Sequence, residues 1–196
     1  MLALPEQLRK RLLEVREVLM FTFDFELLEQ PLDAEAYATP SPWLPAFVVP
    51  NAQTSVVGRD ATGGVYLACQ RSDGQTRCLH IDTLGHAVPL GENLEQLLGL
   101  LVALPYWREL LLGCASGDLT EMRALAERLE LEVCDDLPAL PSARTDLLTF
   151  LELPEFSDPV ARLHQLAVLD SELVSVMSPH GWQYASPITQ VSVHAE

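Results

Sequence analysis

Residues 57–64 form a glycine-rich segment that could bind a phosphate group. The segment reads Val-Gly-Arg-Asp-Ala-Thr-Gly-Gly, and the backbone N–H groups of glycine-rich loops can cradle phosphates. A phosphate loop of that kind needs Lys and Ser or Thr at its end, followed by a helix. Here Gly64 is followed by Val65 and a strand-like run. The segment therefore predicts a structural turn, in which glycines supply positive φ and allow two strands to approach closely.

Cys69, Cys78, His80 and His86 form a second group, because thiols and imidazoles bind metals. Cys78 and His80 are two residues apart in a strand-like run, so their side chains share one face. However, the spacing of the four residues matches none of the known zinc patterns. The sequence predicts strand residues that bind no metal. A small metalloenzyme that uses Cys78, His80 and His86 stays open as an alternative.

Ser116 is the third candidate, since residues 113–117 superficially resemble a nucleophile elbow. That motif places Ser at the centre of G-x-S-x-G, whereas Ser116 lies one position late. Ser116 is better explained as a loop residue before a helix cap at Asp118. His164 and His180 have no assignable acid partner. We therefore predict no catalytic residues, and a small hydrolase that uses Ser116 is the less favoured alternative.

Helix signals recur along the chain. Apolar residues at helical spacing predict an amphipathic helix over residues 5–20. A capping residue precedes a new apolar period at three further positions: Asn93, Asp118 and Asp158. The helix after Asn93 should stop at Pro105, and the last helix should extend to about Met177.

Strand signals lie between the first two helices. Residues 55–57 and 65–70 are predicted strands on either side of the glycine turn. The proline-rich residues 31–54 are predicted to be irregular, with a candidate edge strand at 47–49. Residues 182–193 are a candidate terminal strand.

Asp73-Gly74 predicts a hairpin with a two-residue type I′ turn, because both central positions of that turn need positive φ. This turn would fix the register of the two strands. It places three pairs of residues directly opposite one another: Cys69 and Cys78, Ala68 and Leu79, and Leu67 and His80.

The composition limits the classes of function. The 196 residues are enough for a domain with a substantial core. The formal net charge is −16, and nucleic acids or anionic membranes are bound by clustered basic residues, so neither is an expected partner. The sequence contains no run of about 18 apolar residues, so we expect no membrane-spanning helix. Four cysteines without C-x-x-C spacing favour a cytoplasmic location.

The acidic excess is concentrated in the second half of the chain. From Gly91 onwards there are 17 acidic residues and five basic ones. Four of these acids lie close together in sequence: Glu130, Glu132, Asp135 and Asp136. Each alone is typical of a solvated helix end, but together they could steer a basic protein partner, and we predict them as partner-binding residues.

Residues 57–104 resemble the SUKH superfamily, which includes many bacterial toxin-immunity proteins and fungal regulators of cell-wall synthesis. The resemblance is carried, in order, by the glycine turn 57–64, the strands 65–68 and 78–82, the Leu84-Gly85 turn and the helix start at 92–98. In that family the glycine turn is mainly a structural signature. The resemblance therefore implies scaffold roles for Gly58, Asp60, Gly63 and Gly64, beside the hairpin residues Asp73 and Gly74.

The resemblance implies an α+β fold with a mixed, mostly antiparallel sheet and helices packed against it. The helix signals add a mainly helical C-terminal part. We expect one α+β domain over residues 1–196, with 105–196 as a possible helical extension of that domain.

The resemblance also implies a binder without a cofactor, not an enzyme. Many bacterial relatives look like antidotes that occupy the working surface of a cognate toxin, often a basic nuclease. The predicted function is therefore a cytoplasmic immunity protein that neutralises a basic toxin domain. A regulatory or scaffolding protein of the same fold, without a toxin partner, remains the alternative.

Overall fold

The computed structural model describes residues 6–33, 52–71, 74–84, 86–114 and 116–169. Within these ranges the chain forms five strands and seven α-helices. The strands are β1 (Glu26–Asp33), β2 (Ala52–Arg59), β3 (Val65–Arg71), β4 (Thr76–Ile81) and β5 (Ala87–Gly91). The helices are α1 (Glu6–Glu14), α2 (Arg16–Phe23), α3 (Leu94–Ala103), α4 (Trp107–Gly113), α5 (Leu119–Asp136), α6 (Leu140–Leu151) and α7 (Pro159–His164). A π-helical turn, Gln165–Leu169, continues α7.

The five strands form one sheet in chain order, and each described pairing is antiparallel. Both faces of β3 are buried, since Tyr66 and Ala68 join the larger core while Leu67 and Cys69 join a smaller one. The larger core also takes leucines from the first helix to the last, including Leu12 and Leu163. The α+β class and the helical C-terminal part are confirmed.

The three capped helices begin where the sequence predicts. Each capping carboxylate or amide oxygen accepts a backbone N–H three residues on, at 2.8–2.9 Å, in α3, α5 and α7 (Asn93, Asp118 and Asp158). Helix α3 ends at Ala103, before Pro105. The predicted helix over 5–20 is instead two helices, because the backbone of Val15 (φ −111°, ψ 12°) interrupts it. Both parts still bury the same face.

The β3–β4 hairpin differs in register from the prediction. The N–H of Arg71 donates to the carbonyl of Gln75 at 2.8 Å, so the loop has three residues instead of two. Gly74 supplies the left-handed conformation (φ 83°) that such a loop places at its last residue. Asp73 lies outside the described residues.

This register separates the two cysteines. Cys69 is opposite Arg77, whereas Cys78 is opposite Ala68. The prediction that Cys69 faces Cys78 is wrong, because the two thiols lie in the cores on opposite faces of the sheet. The predicted pairs of Ala68 with Leu79 and Leu67 with His80 are displaced by the same single residue; His80 is opposite Tyr66.

Other boundaries also differ. Strand β1 extends through Pro31 to Asp33 and β2 begins at Ala52, so residues 31–54 are not irregular at either end. Among the described strands β1 is the first of the sheet and pairs with β2 alone, and proline is tolerated in such an edge strand. The candidate strands at 47–49 and 182–193, and the extension to Met177, lie outside the described residues.

In the described ranges, no helix has the length and apolar character needed to cross a membrane.

Candidate functional site

Asp60, in the turn between β2 and β3, is the centre of a buried polar network. Its backbone N–H donates to the carbonyl of Gly64 at 3.0 Å, which closes the turn. Its Oδ1 accepts three hydrogen bonds, from Thr62 N at 2.8 Å, Thr62 Oγ1 at 2.7 Å and Gly64 N at 2.8 Å. The turn thus folds around its own carboxylate.

The second oxygen of Asp60 connects the turn to distant parts of the chain. Oδ2 lies 2.6 Å from Nε2 of His80 on β4 and accepts a hydrogen bond from Nη2 of Arg108 on α4 at 2.8 Å. The carboxylate therefore interacts with five donors, and both Asp60 and His80 are buried. A buried charge is stable only when it is paired and hydrogen-bonded in this way.

Arg108 extends the network to α2. Its Nη1 donates to Oδ2 of Asp24 at 2.8 Å, and its Nη2 also donates to the hydroxyl of Tyr66 at 2.8 Å. Asp24 ends α2 in a left-handed conformation (φ 51°), and its Oδ1 accepts the N–H of Ala61 at 2.8 Å. One guanidinium therefore joins α4, the end of α2 and the sheet.

Aromatic rings enclose the imidazole of His80. The ring of Tyr66, its partner across the strands, has its centroid 4.9 Å away, and Trp107 meets it edge-on at 5.1 Å. The guanidinium carbon of Arg108 lies 4.6 Å from the centroid of the Trp107 ring. The contact between Asp60 and His80 is therefore buried beneath aromatic rings.

Two glycines leave the space that this arrangement needs. A Cβ atom on Gly64 would overlap the Asp60 carboxylate and the His80 ring, and one on Gly58 would overlap the ring of Phe25. The backbone of Gly63 has a φ of 92°, a conformation that residues with a side chain rarely adopt. The glycine-rich segment therefore surrounds an internal carboxylate.

The protonation states follow from burial and from these contacts. Burial alone would raise the pKa of Asp60, but hydrogen bonds from His80 and Thr62 and the charge of Arg108 hold it well below its usual range. Burial lowers the pKa of His80 and outweighs the hydrogen bond to Asp60. We therefore assign an ionised Asp60 and a neutral His80 that donates its Nε2 proton to it.

A cleft between the β4–β5 hairpin and α4 opens beside the network. Its interior volume is about 50 Å³. Its lining includes His80 and Arg108 from the network, Asp82 and His86 from the hairpin, and Leu112 from α4.

The structure does not bring the other chemical candidates together. Cys69 is on the far side of the sheet from Cys78 and His80, and the described residues contain no cluster of three metal-binding side chains. Burial raises the pKa of the Cys78 thiol, which disfavours the thiolate that a metal would need. Ser116 donates its hydroxyl proton to Glu121 at 2.8 Å.

The sequence analysis considered two further histidines, His164 and His180, as catalytic residues. The ring of His164 lies 2.7 Å from the carbonyl of Gly117. His180 is outside the described residues.

The four predicted partner-binding acids differ in their surroundings. Glu130 accepts two hydrogen bonds from Arg144, at 2.8 and 3.1 Å, and one from the hydroxyl of Tyr106 at 3.0 Å. The bond to Arg144 lowers the pKa of the Glu130 carboxyl. Glu130 thus joins α5 to α6, while the other three acids are exposed, namely Glu132, Asp135 and Asp136.

Arg108, Tyr66 and Asp24 were not predicted as members of a site. A signal for Arg108 exists, because Arg108 and Glu109 are the only charged residues in the apolar segment 96–117. A charge there must find a partner when the segment packs. The identity of that partner depends on the tertiary fold and cannot be derived from the spacing.

Comparisons with models of known protein families, with curated proteins and with solved structures found no match for this chain.

Replacing Arg108 by Met should lower the free energy of unfolding by about 3 kcal/mol, because Asp60 would keep a buried charge without its cation. Arg123→Met is the matched control. Arg123 pairs with Asp158 at 2.6 Å at an exposed position, where an ion pair contributes only about 0–1 kcal/mol. Urea unfolding of both variants measures the difference, and equal losses would contradict the assignment of a central role to Arg108.

His80→Gln should flatten the dependence of stability on pH below about 6.5, the ordinary histidine value. Because the pKa of His80 is lowered in the folded protein, the unfolded chain binds the proton more readily, so wild-type stability falls as the pH decreases. Gln keeps an N–H donor for Asp60 but does not titrate. Urea unfolding between pH 7.5 and 4.5 measures the free energy of unfolding of both proteins. As the pH decreases, this free energy should fall more steeply in the wild type than in His80→Gln, by at most ~1.4 kcal/mol per pH unit. Parallel curves would show that His80 does not titrate as proposed.

Proposed function

We propose that this protein is a non-catalytic, cytoplasmic binding module that neutralises a cognate toxin with a basic surface. The resemblance of residues 57–104 to the SUKH superfamily and the net charge of −16 support this proposal. The observation that carries it is the α5 acidic end, defined as Glu132, Asp135 and Asp136.

The α5 acidic end is unfavourable for the isolated protein. The last turn of α5 contains acids and no basic residue, although the carbonyl end of a helix favours cations. Within the described part of the chain, none of the three carboxylates has a hydrogen bond or an ion pair. A basic partner would remove this local repulsion on binding, which favours a role in recognition.

Exposed apolar side chains lie among these acids. Leu131, one turn before Asp135, is 70% exposed, and Leu137, directly after the helix, is 44% exposed. Protein interfaces commonly combine apolar contacts with a charged, solvent-accessible rim. Leu131 and Leu137 would supply the apolar contacts, and the α5 acidic end would form the rim.

Glu130 has a different role in this proposal. Its ion pair with Arg144 holds α5 against α6, so it positions the helix that presents the α5 acidic end. The network around Asp60 likewise serves the scaffold, since every oxygen of that carboxylate is bonded within the chain.

Neutralising the α5 acidic end with Glu132→Gln, Asp135→Asn and Asp136→Asn should have two opposite effects. The free protein should become more stable by roughly 1 kcal/mol, because repulsion with the helix dipole is removed. Binding to the basic toxin domain that this proposal requires should weaken at least tenfold, with most of the loss at low salt. Thermal unfolding and titration calorimetry measure the two effects.

The matched control is Glu6→Gln, Glu14→Gln and Glu17→Gln, which changes the net charge equally at exposed positions on α1 and α2. It should leave the affinity within about twofold. Failure to bind any basic polypeptide, together with no protection against a toxin from an adjacent gene, would refute the proposed function. Binding without protection would favour the regulatory alternative.

A further inference from the structure

Two buried N–H groups in the wall of the cleft beside the Asp60 network are unpaired. They belong to Trp107, which is 2% exposed, and to Arg108, and both residues line the cleft. Within the described part of the chain, neither Nε1 of Trp107 nor Nε of Arg108 has a hydrogen-bond partner. A buried donor without an acceptor is unfavourable, so both atoms favour the binding of a group that accepts hydrogen bonds.

The two donors are neighbours. Trp107 precedes Arg108 in α4, and the guanidinium carbon lies 4.6 Å from the centroid of the indole ring. The other nitrogens of the guanidinium are already bound, since Nη1 donates to Asp24 and Nη2 donates to Asp60 and Tyr66. A carbonyl oxygen has two lone pairs, so one such atom can accept from both unpaired donors.

The volume of the cleft limits what can enter it. Its interior is about 50 Å³, and one water molecule needs roughly 10–15 Å³ of such space. The interior therefore holds the end of one small group and excludes a ring or a long side chain. Val88 and Leu111 form apolar parts of the wall.

The charges around the cleft favour a neutral acceptor over an anion. Asp24 and Asp60 both pair with Arg108. Asp82, which also lines the cleft, lies 2.7 Å from Nδ1 of His86. The three carboxylates outnumber the cations even when His86 is protonated. A carboxylate or phosphate group in the cleft would be repelled, whereas an uncharged carbonyl group would not.

The shape of the peptide group favours a backbone carbonyl over the side-chain amide of Asn or Gln. In a trans peptide the N–H points away from the C=O, so the oxygen can enter while the N–H stays outside. A primary amide would carry one of its own N–H groups into the cleft beside the two donors.

Exposed leucines flank the cleft. Leu112 lines it from α4 and is 63% exposed, and Leu84, in the turn between Asp82 and His86, is 81% exposed. Protein interfaces combine apolar contacts of this kind with a small number of direct hydrogen bonds.

We propose that this cleft binds one backbone carbonyl oxygen of the partner protein. The oxygen accepts the N–H groups of Trp107 and Arg108, and an apolar side chain beside it in the partner packs on Leu84 and Leu112. The inference rests on the proposed function and deepens it, because it assigns a second contact apart from the α5 acidic end.

The first test uses the full-length, ¹⁵N-labelled protein and three probes: N-methylacetamide, acetamide and acetate. N-methylacetamide, which resembles a peptide group, should shift the indole N–H resonance of Trp107 and the Nε–H resonance of Arg108. The shifts should saturate with a Kd of about 10–100 mM, as expected for one or two buried hydrogen bonds. Acetamide and acetate should bind at least threefold more weakly. Equal or tighter binding of either, or an unshifted indole resonance, would overturn the inference.

Trp107→Phe assigns the indole resonance, since the chain has three tryptophans, and it removes one donor while keeping an aromatic ring. The Kd for N-methylacetamide, measured on the Nε–H resonance of Arg108, should rise at least fivefold. An unchanged Kd would overturn the proposed site.

A second variant tests the site even when Trp107→Phe does not fold. Leu112→Trp, at an exposed position, places a bulky ring at the mouth of the cleft and should weaken binding of N-methylacetamide at least fivefold. Phe150→Trp is the matched control, because Phe150 is 41% exposed on α6 and does not line the cleft. Equal binding by these two variants would contradict the inference.

The toxin domain distinguishes the two proposals. If it binds, and the triple variant of the α5 acidic end weakens binding while Leu112→Trp does not, the proposed function stands and this inference fails. If no basic partner binds but N-methylacetamide still enters the cleft, the proposed function fails and the site for a peptide carbonyl remains.

Discussion

The buried charge of Asp60 requires that the glycine turn, β4 and α4 meet in the described structure. A charge in this position must be compensated within the chain, and the compensation comes from the turn itself, from β4 and from α4. Arg108 then brings in the end of α2 through Asp24. A single acid thus connects the glycine turn with β4, with α4 and, through Arg108, with the end of α2.

The acidic residues of this protein are of two kinds, those paired with arginines and those exposed to solvent, which the amino-acid composition does not distinguish. Asp24, Asp60 and Glu130 are paired with arginines and hold elements together. Glu132 and Asp135 are exposed at the end of a helix, where their charge is unfavourable for folding. The first kind joins helices and strands through ion pairs, and the second is the surface to which we propose that a basic partner binds.

Local signals were enough to predict much of the fold. The caps at Asn93, Asp118 and Asp158 were found because a capping residue acts on N–H groups only three residues away. The register of the β3–β4 hairpin was wrong because Asp-Gly suits both two- and three-residue loops, and only the Arg71–Gln75 hydrogen bond distinguishes them.

The candidate site depended on that register and on long-range contacts. The true pairing places Tyr66 opposite His80, and the predicted one does not. Arg108 meets Asp60 across 48 positions of sequence, so no local pattern could assign it a partner. His80 and Asp60 were each noted in the sequence, as a strand residue and a scaffold residue, but their contact is a property of the folded chain.

The protonation state of His80 shows whether the network is arranged as described, because an ionised Asp60 requires a neutral imidazole that donates its Nε2 proton to it. ¹⁵N NMR of the imidazole nitrogens through a pH titration identifies which ring nitrogen carries the proton. We expect that Nε2 carries the proton at neutral pH, that Nδ1 has the chemical shift of an unprotonated nitrogen, and that the pKa of the ring lies below its ordinary value of about 6.5. A ring protonated on both nitrogens at neutral pH, or with its proton on Nδ1, would contradict this arrangement.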